Sequence, residues 1–160
     1  MAVKLAHAMG AHVTVMSRTP DKQKDAEELG ADELLISTDE AAMEKAAASF
    51  DLIIDTVPVK HDLNPYIPLL DIDGSLVLVG QIGPVPEPNT APLVFGRRRV
   101  AGSLIGGIKE TQELLNFCAE KNVHPDVEMI RMDEINEAFE RMEKSDVRYR
   151  FVIDMASLEA

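Results

Sequence analysis

Apolar runs and amphipathic stretches alternate along the first 121 residues of the chain. Runs rich in β-branched residues predict strands, whereas apolar residues three and four positions apart predict helices. The predicted strands are 11–16, 33–37, 51–57, 75–80 and 100–105. The predicted helices are 2–9, 19–29, 39–50, a proline-containing stretch at 61–70, and 109–121. Because the connections are short, this order predicts α/β architecture with a doubly wound parallel sheet.

Local signals set the expected ends of several elements. Gly10 and Gly30 stand where helix C-termini are predicted, and Pro20 stands at a first helical position. Asp39 is a predicted N-cap for the helix that follows it. The unbroken apolar middle of 51–57 predicts a strand that is buried on both faces.

Between strands, Asp71 to Gly74 predicts a tight turn, and four prolines between 81 and 92 predict a loop. After Asn122 the pattern changes to a strand at 125–131, a helix at 134–144 capped by Asp133, and a strand at 148–155. This tail is either a sixth strand unit of the sheet or a piece of a neighbouring domain. We therefore predict a domain at 1–122 and a separate C-terminal segment at 123–160.

Composition narrows the classes of function. The net charge of −12 argues against general binding to nucleic acids or anionic membranes. There is no run of about 18 apolar residues that would predict a membrane span. Cys118 is the single cysteine, which excludes an internal disulfide and a multi-cysteine zinc site and is typical of a reducing, cytoplasmic setting. The four histidines show no metal-ligand spacing, so no metal site is predicted.

The carboxyl ends of the predicted strands are rich in small residues, hydroxyls and exposed backbone, and they are poor in carboxylates and His–Asp pairs. Ligands of open parallel sheets bind at this edge. The residues there are Ser17-Arg18-Thr19, Thr56-Val57-Pro58, Val79-Gly80-Gln81 and Ser103-Leu104-Ile105-Gly106. Such an edge is suited to holding a ligand, and no catalytic residue is predicted on it.

The first of these strand ends has a hydroxyl and a cation, Ser17 and Arg18, and a second cation, Lys22, lies in the turn that follows. A carboxylate at the end of the second strand of a dinucleotide-binding fold bonds the ribose diol of NAD and repels the 2′-phosphate of NADP. Here Ser17 can donate to a 2′-phosphate, Arg18 can pair with it, and Lys22 can add a charge. The helix start at Pro20 adds a favourable dipole. This pattern favours NADP; the alternative is that Arg18 and Lys22 are solvated residues of a surface turn.

Other charged residues have two interpretations each. The run Arg97 to Arg99 is an anion site or, more simply, a solvated basic turn. Arg148 and Arg150 either reach a pyrophosphate or form surface ion pairs. Asp51 is interpreted as the start of a strand and not as an acid catalyst, and Cys118 as a packing residue on the apolar face of its helix.

Taken together and in order, the motifs resemble one branch of a known family. They are HVTVMSRTPDK, GADELLIS, FDLIIDTV, DGSLVLVG, VAGSLIGGIKETQELLNFCAE and DVRYRFVID. The set resembles the cinnamyl-alcohol-dehydrogenase-like branch of the zinc-dependent medium-chain alcohol dehydrogenases. The resemblance covers essentially the whole chain and implies a Rossmann-like fold.

The resemblance also implies roles for individual residues. Ser17, Arg18 and Lys22 match the segment that holds the 2′-phosphate of NADP. Residues that match positions along the adenosine and nicotinamide groove are Thr56, Val57, Val79, Gly80, Ser103, Leu104 and Ile105. Arg148 matches an arginine near the pyrophosphate, and the match of Arg150 is weaker. Residues from about 123 onward resemble the stretch that returns to the catalytic domain.

The sequence departs from that family at its start. The first strand, the G-x-G-G-x-G turn and the zinc-bearing catalytic domain have no counterpart before the helix AVKLAHAMGA. The resemblance therefore implies the C-terminal portion of a longer dehydrogenase. In the sheet order 3-2-1-4-5-6 a missing first strand either leaves a gap or brings the two halves together. The glycine-rich turn supplies backbone N–H groups to the pyrophosphate, so its absence implies weak cofactor binding. Two open inner edges make a homodimer possible.

The leading functional expectation is the cofactor portion of an NADP-dependent alcohol dehydrogenase. The small-molecule alcohol or aldehyde would be bound by the full-length enzyme, and zinc would polarise its oxygen in the domain without a counterpart here. These 160 residues alone are expected to be inactive. Two alternatives remain open at this point: a non-catalytic nucleotide-binding module, and a vestigial product without function.

Overall fold

The computed structural model describes residues 1–80, 82–144 and 146–159 of the chain. Its helices are α1 (Ala2–Ala8), α2 (Gln23–Glu28), α3 (Glu40–Lys45), α4 (Ala91–Gly96), α5 (Ile108–Lys121) and α6 (Ile135–Glu143). Its strands are β1 (Thr14–Ser17), β2 (Glu33–Ile36), β3 (Phe50–Asp55), β4 (Leu70–Leu78), β5 (Arg99–Gly102), β6 (Glu128–Arg131) and β7 (Phe151–Asp154). Short 3₁₀ helices cover Pro20–Lys22, Ile67–Leu69, Met132–Glu134 and Met155–Glu159.

Each strand pair in the described part of the chain is parallel. The strands form three sheets, ordered β1-β2, β3-β4-β5 and β6-β7. The predicted α/β class with parallel sheets is confirmed. Because β1 pairs only with β2 and β3 pairs only with β4, the two halves of the dinucleotide-type sheet are not joined by backbone hydrogen bonds among the described residues. The tail builds a sheet of its own and does not extend β3-β4-β5.

Glycine and aspartate signals act at the helix ends where the sequence placed them. Gly10 follows α1 with φ of 85°, and Gly30 follows α2 with φ of 96°. A Cβ on Gly30 would lie 2.8 Å from the ring of His7, so α1 and the end of α2 approach closely at this point. The carboxylate of Asp39 accepts a hydrogen bond of 3.1 Å from the N–H of Ala42 and caps α3.

Loss of this cap gives a first testable outcome. Replacing Asp39 with alanine leaves an N–H of the first turn unsatisfied and is expected to lower the free energy of unfolding by about 1 kcal/mol. Urea denaturation of the 160-residue chain measures the change. Asp39→Asn keeps an acceptor oxygen and should restore most of the loss. Equal losses in both variants would assign the effect to the carboxylate charge at the helix start and not to the accepted hydrogen bond.

Several predicted elements were wrong in extent or kind. The helix after Asp39 ends at Lys45 and not at 50, because Ala48 adopts a left-handed φ of 53°. The helix predicted at 61–70 is replaced by turns and the short 3₁₀ helix Ile67–Leu69, since Pro65 and Pro68 each remove a backbone donor. Helix α4 begins at Ala91, inside the range predicted as a loop, with Pro92 in its first turn, and it was not predicted.

Capping of the last helix was also assigned to the wrong residue. The carboxylate of Glu134 accepts from the N–H of Arg131 at 2.6 Å, whereas Asp133 pairs with the Arg131 side chain at 3.0 Å. Asp133 lies inside the 3₁₀ turn that precedes α6, so it cannot serve as the N-cap.

Strands β3 and β4 differ from expectation in burial and length. Leu52 is 54% exposed and Ile54 is 46% exposed, so the predicted burial of β3 on both faces is wrong. The physical reason is that Leu52 and Ile54, two residues apart, lie on the same face of the sheet, and this face stays open, whereas Ile53 on the other face packs against the core cluster. Strand β4 already begins at Leu70, and the predicted tight turn is a register shift within it.

The tightest packing lies beside β4. Leu63, Ile67, Leu70 and Leu76 are buried and form one cluster, with Ile53 and Tyr66 packed against it. This cluster anchors the segment that connects β3 to β4. No helix in the described ranges is long and apolar enough to cross a membrane.

Candidate functional site at the carboxyl ends of the strands

The structure places most of the predicted site residues directly after strands. Ser17 is the last residue of β1, and Thr56 and Val57 follow β3. Val79 and Gly80 follow β4, and Ser103 follows β5. Gln81, which the sequence placed in the same group, lies outside the described residues. Parallel strands within one sheet end at the same edge, so the β3, β4 and β5 groups share one edge.

The corner after β1 is fixed by β2 through its backbone. The Ser17 carbonyl accepts from the N–H of Ser37 at 2.8 Å, and the Arg18 carbonyl accepts from the Thr38 hydroxyl at 3.0 Å. The Ser17 hydroxyl oxygen accepts from the N–H of Thr19 at 3.3 Å, which leaves its hydrogen free to be donated.

The two cations of this corner are exposed and unneutralised. Arg18 and Lys22 are both exposed. Across the part of the chain that the structure describes, no carboxylate forms an ion pair with either side chain. The result is a positive corner, with a hydroxyl donor, in a protein whose net charge is −12.

The ends of β3 and β4 are in direct backbone contact. The N–H groups of Val79 and Gly80 donate to the Asp55 carbonyl at 3.0 and 3.2 Å. A Cβ on Gly80 would overlap the carbonyl group of Thr56 and lie 2.9 Å from the carbonyl oxygen of Val57. Glycine is therefore required at position 80 for the two strand ends to approach as they do.

The end of β5 continues the edge with apolar side chains. The N–H of Ser103 donates to the Leu78 carbonyl at 3.1 Å, which holds this segment beside the end of β4. Leu104 is 85% exposed and Ile105 is 89% exposed. The edge thus combines a positive corner, a backbone-lined centre and an apolar end.

Arg148 lies elsewhere and is already engaged. Its guanidinium pairs with Asp25 of α2 at 3.0 Å, and its N–H donates to Glu128 at 2.8 Å. The pKa of the Glu128 carboxyl lies below its ordinary value. The main cause is the hydrogen bond from the Arg148 backbone N–H, and the second is the hydrogen bond from the Arg141 side chain. Arg148 and Tyr149 border a cavity of about 270 Å³ against α2, which contains none of the strand ends. The geometry is that of the surface ion pair, and a pyrophosphate role for Arg148 remains a prediction.

The arginine run before β5 is also tied to a carboxylate. Arg97 forms two hydrogen bonds with the side chain of Asp73, and Arg99 donates to the Asp73 carbonyl at 2.7 Å. These contacts draw the bulge of β4 and the start of β5 together. The Arg98 guanidinium donates to the Pro92 carbonyl at 3.5 Å, so each of the three arginines has a local partner.

Sequence reasoning missed the polar pair at the end of β3. The buried carboxylate of Asp55 accepts from the N–H of Val57 at 3.0 Å and contacts Nε2 of His61 at 2.7 Å. The signal was an aspartate at a strand end and a histidine six residues later, which has no motif of its own. Within the described ranges no group of three or more His, Cys, Asp or Glu side chains could hold a metal ion.

Comparison with known proteins assigns the chain to a family. The zinc-binding dehydrogenase family model matches residues 1–120, and the chain belongs to that family. A probable cinnamyl alcohol dehydrogenase of Populus deltoides is 54% identical over 157 residues, which cover 98% of this chain and 44% of that protein.

Solved structures give the same result. A cinnamyl alcohol dehydrogenase of Sorghum bicolor superposes with a TM-score of 0.89 at 46% identity, over 98% of this chain and 44% of that one. A Helicobacter pylori relative, solved in complex with NADP(H), superposes with a TM-score of 0.81 at 36% identity, again over 98% and 44%. The chain therefore spans 44% of the length of these relatives and corresponds to their Rossmann-like C-terminal portion.

Proposed function

We propose that this chain is the NADP(H)-binding portion of an alcohol dehydrogenase that interconverts a primary alcohol and an aldehyde. Its family and its relatives among the cinnamyl alcohol dehydrogenases support the reaction class. The NADP(H) complex of the Helicobacter pylori relative supports the choice of cofactor. The proposed cofactor domain is 1–122, and 123–160 is proposed to lead back to a catalytic domain.

One observation carries the proposal: the unneutralised positive corner of Ser17, Arg18 and Lys22 at the end of β1. The Arg18 guanidinium can donate two parallel hydrogen bonds to a 2′-phosphate. The free hydrogen of the Ser17 hydroxyl can donate a further one, and Lys22 contributes a point charge. At the end of β1, where a carboxylate would bond the ribose diol of NAD, the chain has Ser17 and Arg18, and the nearest following carboxylate, Asp21, lies in the 3₁₀ helix beyond.

The remaining strand ends are proposed to line the groove for the rest of the cofactor. Because the N–H groups of Val79 and Gly80 already donate to Asp55, these two residues would meet the ligand through their carbonyl groups. Thr56 and Val57 border the same centre, and Ser103, Leu104 and Ile105 border its apolar end. When bound, the nicotinamide supplies hydride transfer; this chain contributes position and selectivity.

No step of the zinc chemistry is assigned to residues of this chain. The described ranges contain no side-chain cluster suited to a metal, so the donor set does not fit a catalytic zinc. We propose that another part of the enzyme binds zinc and the alcohol or aldehyde substrate. The proton relay is proposed to lie in that part as well. Zinc-dependent turnover of cinnamyl alcohol by the 160-residue chain alone would contradict this part of the proposal.

Backbone NMR tests the location of the site. Titration of the chain with NADP⁺ should shift the amide signals of Ser17, Arg18, Val57, Gly80 and Ser103. The signals of Lys4 and Asp126, which line the cavity beside α2, serve as the internal control, and Arg148 is left out of it because a pyrophosphate role is still predicted for that residue. Shifts confined to that cavity would overturn the assignment of the strand ends.

We further propose that two copies of the chain associate through the open side of β3. Leu52 and Ile54 are exposed beside a strand edge that has no partner in the described structure. Such edges pair readily with other chains, and a charge placed on the strand opposes this pairing.

Sedimentation velocity tests the proposed association. The sedimentation coefficient should rise with protein concentration, and Ile54→Lys should weaken self-association about tenfold or more. Ile72→Lys is the matched control, since Ile72 is 63% exposed but lies in the bulge of β4 between Leu70 and Ser75 and not on β3. A monomer at all concentrations, or an equal effect of both substitutions, would remove this proposal.

A further inference from the structure

Asp55 organises the end of β3 through both its backbone and its side chain. Its carbonyl accepts the N–H groups of Val79 and Gly80, which joins β3 to β4. One carboxylate oxygen accepts from the N–H of Val57 at 3.0 Å, and the other contacts His61 Nε2 at 2.7 Å. The Asp55 side chain is 8% exposed, so these contacts take place largely out of water.

Both ring nitrogens of His61 face oxygen acceptors. Nδ1 lies 2.8 Å from the carbonyl oxygen of Val59, and Nε2 lies 2.7 Å from the carboxylate of Asp55. A neutral imidazole has one N–H and one lone pair, so it would direct a lone pair at one of these oxygens. Beside an ionised Asp55, only the imidazolium satisfies both contacts.

The pair closes a short loop that begins with the proposed groove residues. Residues 56–61 leave the end of β3, and the Asp55–His61 contact brings the far end of this loop back to the strand. Beyond it, Leu63 is 4% exposed and belongs to the core cluster, so the chain is anchored again two residues later. Thr56 and Val57 are thus held between β3 and the His61 contact.

The groups around His61 are few and mostly acidic. Asp55 and Asp62 lie close enough to act on its charge, and the Tyr66 ring packs edge-on at 6.4 Å between centroids. The hydrogen bond to the Val59 carbonyl raises the pKa of His61, and the two carboxylates raise it further, while burial opposes them.

We propose that the Asp55–His61 ion pair is a positioning latch for the nucleotide groove. While His61 is protonated, the pair holds the backbone of Thr56 and Val57 against Gly80 in the geometry that receives the cofactor. Loss of the proton opens the loop and weakens cofactor binding. The identity of the ligand in this inference rests on the proposed function, whereas the latch itself does not.

The sign of the pH dependence follows from the raised pKa of His61. Its folded-state pKa lies above the ordinary value of 6.5, so the contact contributes fully below about pH 6.5 and is lost as the pH rises through the folded-state pKa. The second ionisation of the cofactor's 2′-phosphate, near pH 6, acts in the opposite direction because the dianion binds the cationic corner better.

A single substitution separates the latch from other effects of pH. In Asp55→Asn, the amide oxygen can accept from the Val57 N–H while the amide nitrogen donates to Nε2 of a neutral His61. Nδ1–H can still donate to Val59, so the loop closes without a charge. Asp55→Asn is therefore expected to keep the loop closed at high pH. His61→Gln is expected to remove the pH response of the loop.

Two measurements on the full chain test the latch, with the exposed His12→Gln as the matched control. The NMR titration midpoint of His61 should lie above 6.5 in the unaltered chain and should be lower in Asp55→Asn, which lacks the carboxylate charge. Between pH 6 and 9, NADP⁺ affinity of the unaltered chain and of His12→Gln should fall about tenfold relative to Asp55→Asn. His61→Gln should bind more weakly at every pH, without this relative change.

The possible outcomes separate the latch from the proposed function. A His61 midpoint at or below 6.5, or an affinity ratio between the unaltered chain and Asp55→Asn that is constant with pH, would overturn the latch while leaving NADP(H) binding intact. If no NADP⁺ binds at any pH, the proposed function fails. Amide exchange of Val57 then decides the latch alone: faster exchange than in Asp55→Asn above the midpoint supports it, and equal exchange refutes it.

Discussion

Replacing Arg18 with glutamate is expected to weaken NADPH binding about 100-fold, since the change removes a bidentate charge-assisted contact and places a like charge near the phosphate. NADH has no 2′-phosphate, so its affinity should change about threefold or less. Calorimetric titration of both cofactors with the variant and the unaltered chain gives the two ratios.

Lys45→Glu is the matched control for the Arg18 substitution. It makes the same change in net charge on an exposed residue, but it lies at the last turn of α3 and away from the end of β1. If it weakens NADPH binding as much as Arg18→Glu, the effect arises from overall charge and not from a phosphate contact. Equal losses for NADPH and NADH in Arg18→Glu would also contradict the assignment.

Replacing Gly80 with alanine is expected to lower the free energy of unfolding by about 3 kcal/mol, because the new Cβ overlaps backbone atoms of Thr56 that cannot move aside. For a chain of this size the melting temperature should fall by about 10 °C. Cofactor affinity should fall as well, since relief of the overlap separates the ends of β3 and β4. Thermal and urea denaturation measure the loss of stability.

Gly102→Ala provides the comparison within the same sheet. A Cβ on Gly102, the last residue of β5, meets no atom within 4 Å, so this substitution should change stability by less than about 0.5 kcal/mol. A similar loss in both variants would mean that strand glycines in general, and not the close approach at Gly80, explain the result.

The sequence predicted the strand ends well because local signals mark them. The Ser-Arg-Thr-Pro segment at the end of β1 follows a β-branched run and places a proline at a helix start. The structure ends β1 at Ser17 and begins a 3₁₀ helix at Pro20. Gly10 and Gly30 adopt the positive φ that their predicted capping positions require.

Elements whose ends depend on packing were predicted less well. High helix propensity extended the predicted helix after Asp39 to 50, but Ala48 turns into the left-handed region and its N–H donates to the Pro68 carbonyl. Burial of β3 was inferred from its apolar run, but burial depends on which neighbours a strand has, and the run itself does not specify them.

The Asp55–His61 pair shows a different limit. Neither residue belongs to a motif, and their contact requires a loop of five intervening residues to fold back on the strand. Its significance arises from hydrogen-bond geometry, since both ring nitrogens meet acceptors. A sequence pattern contains the two residues but not this arrangement.

Calorimetric titration of the unaltered chain with NADPH and NADH tests the central claim most directly. The account predicts that NADPH binds at least about tenfold more tightly than NADH, with the difference reduced at high salt because it arises from an exposed phosphate contact. Equal affinities for the two cofactors would contradict the assignment of Ser17, Arg18 and Lys22 to the 2′-phosphate.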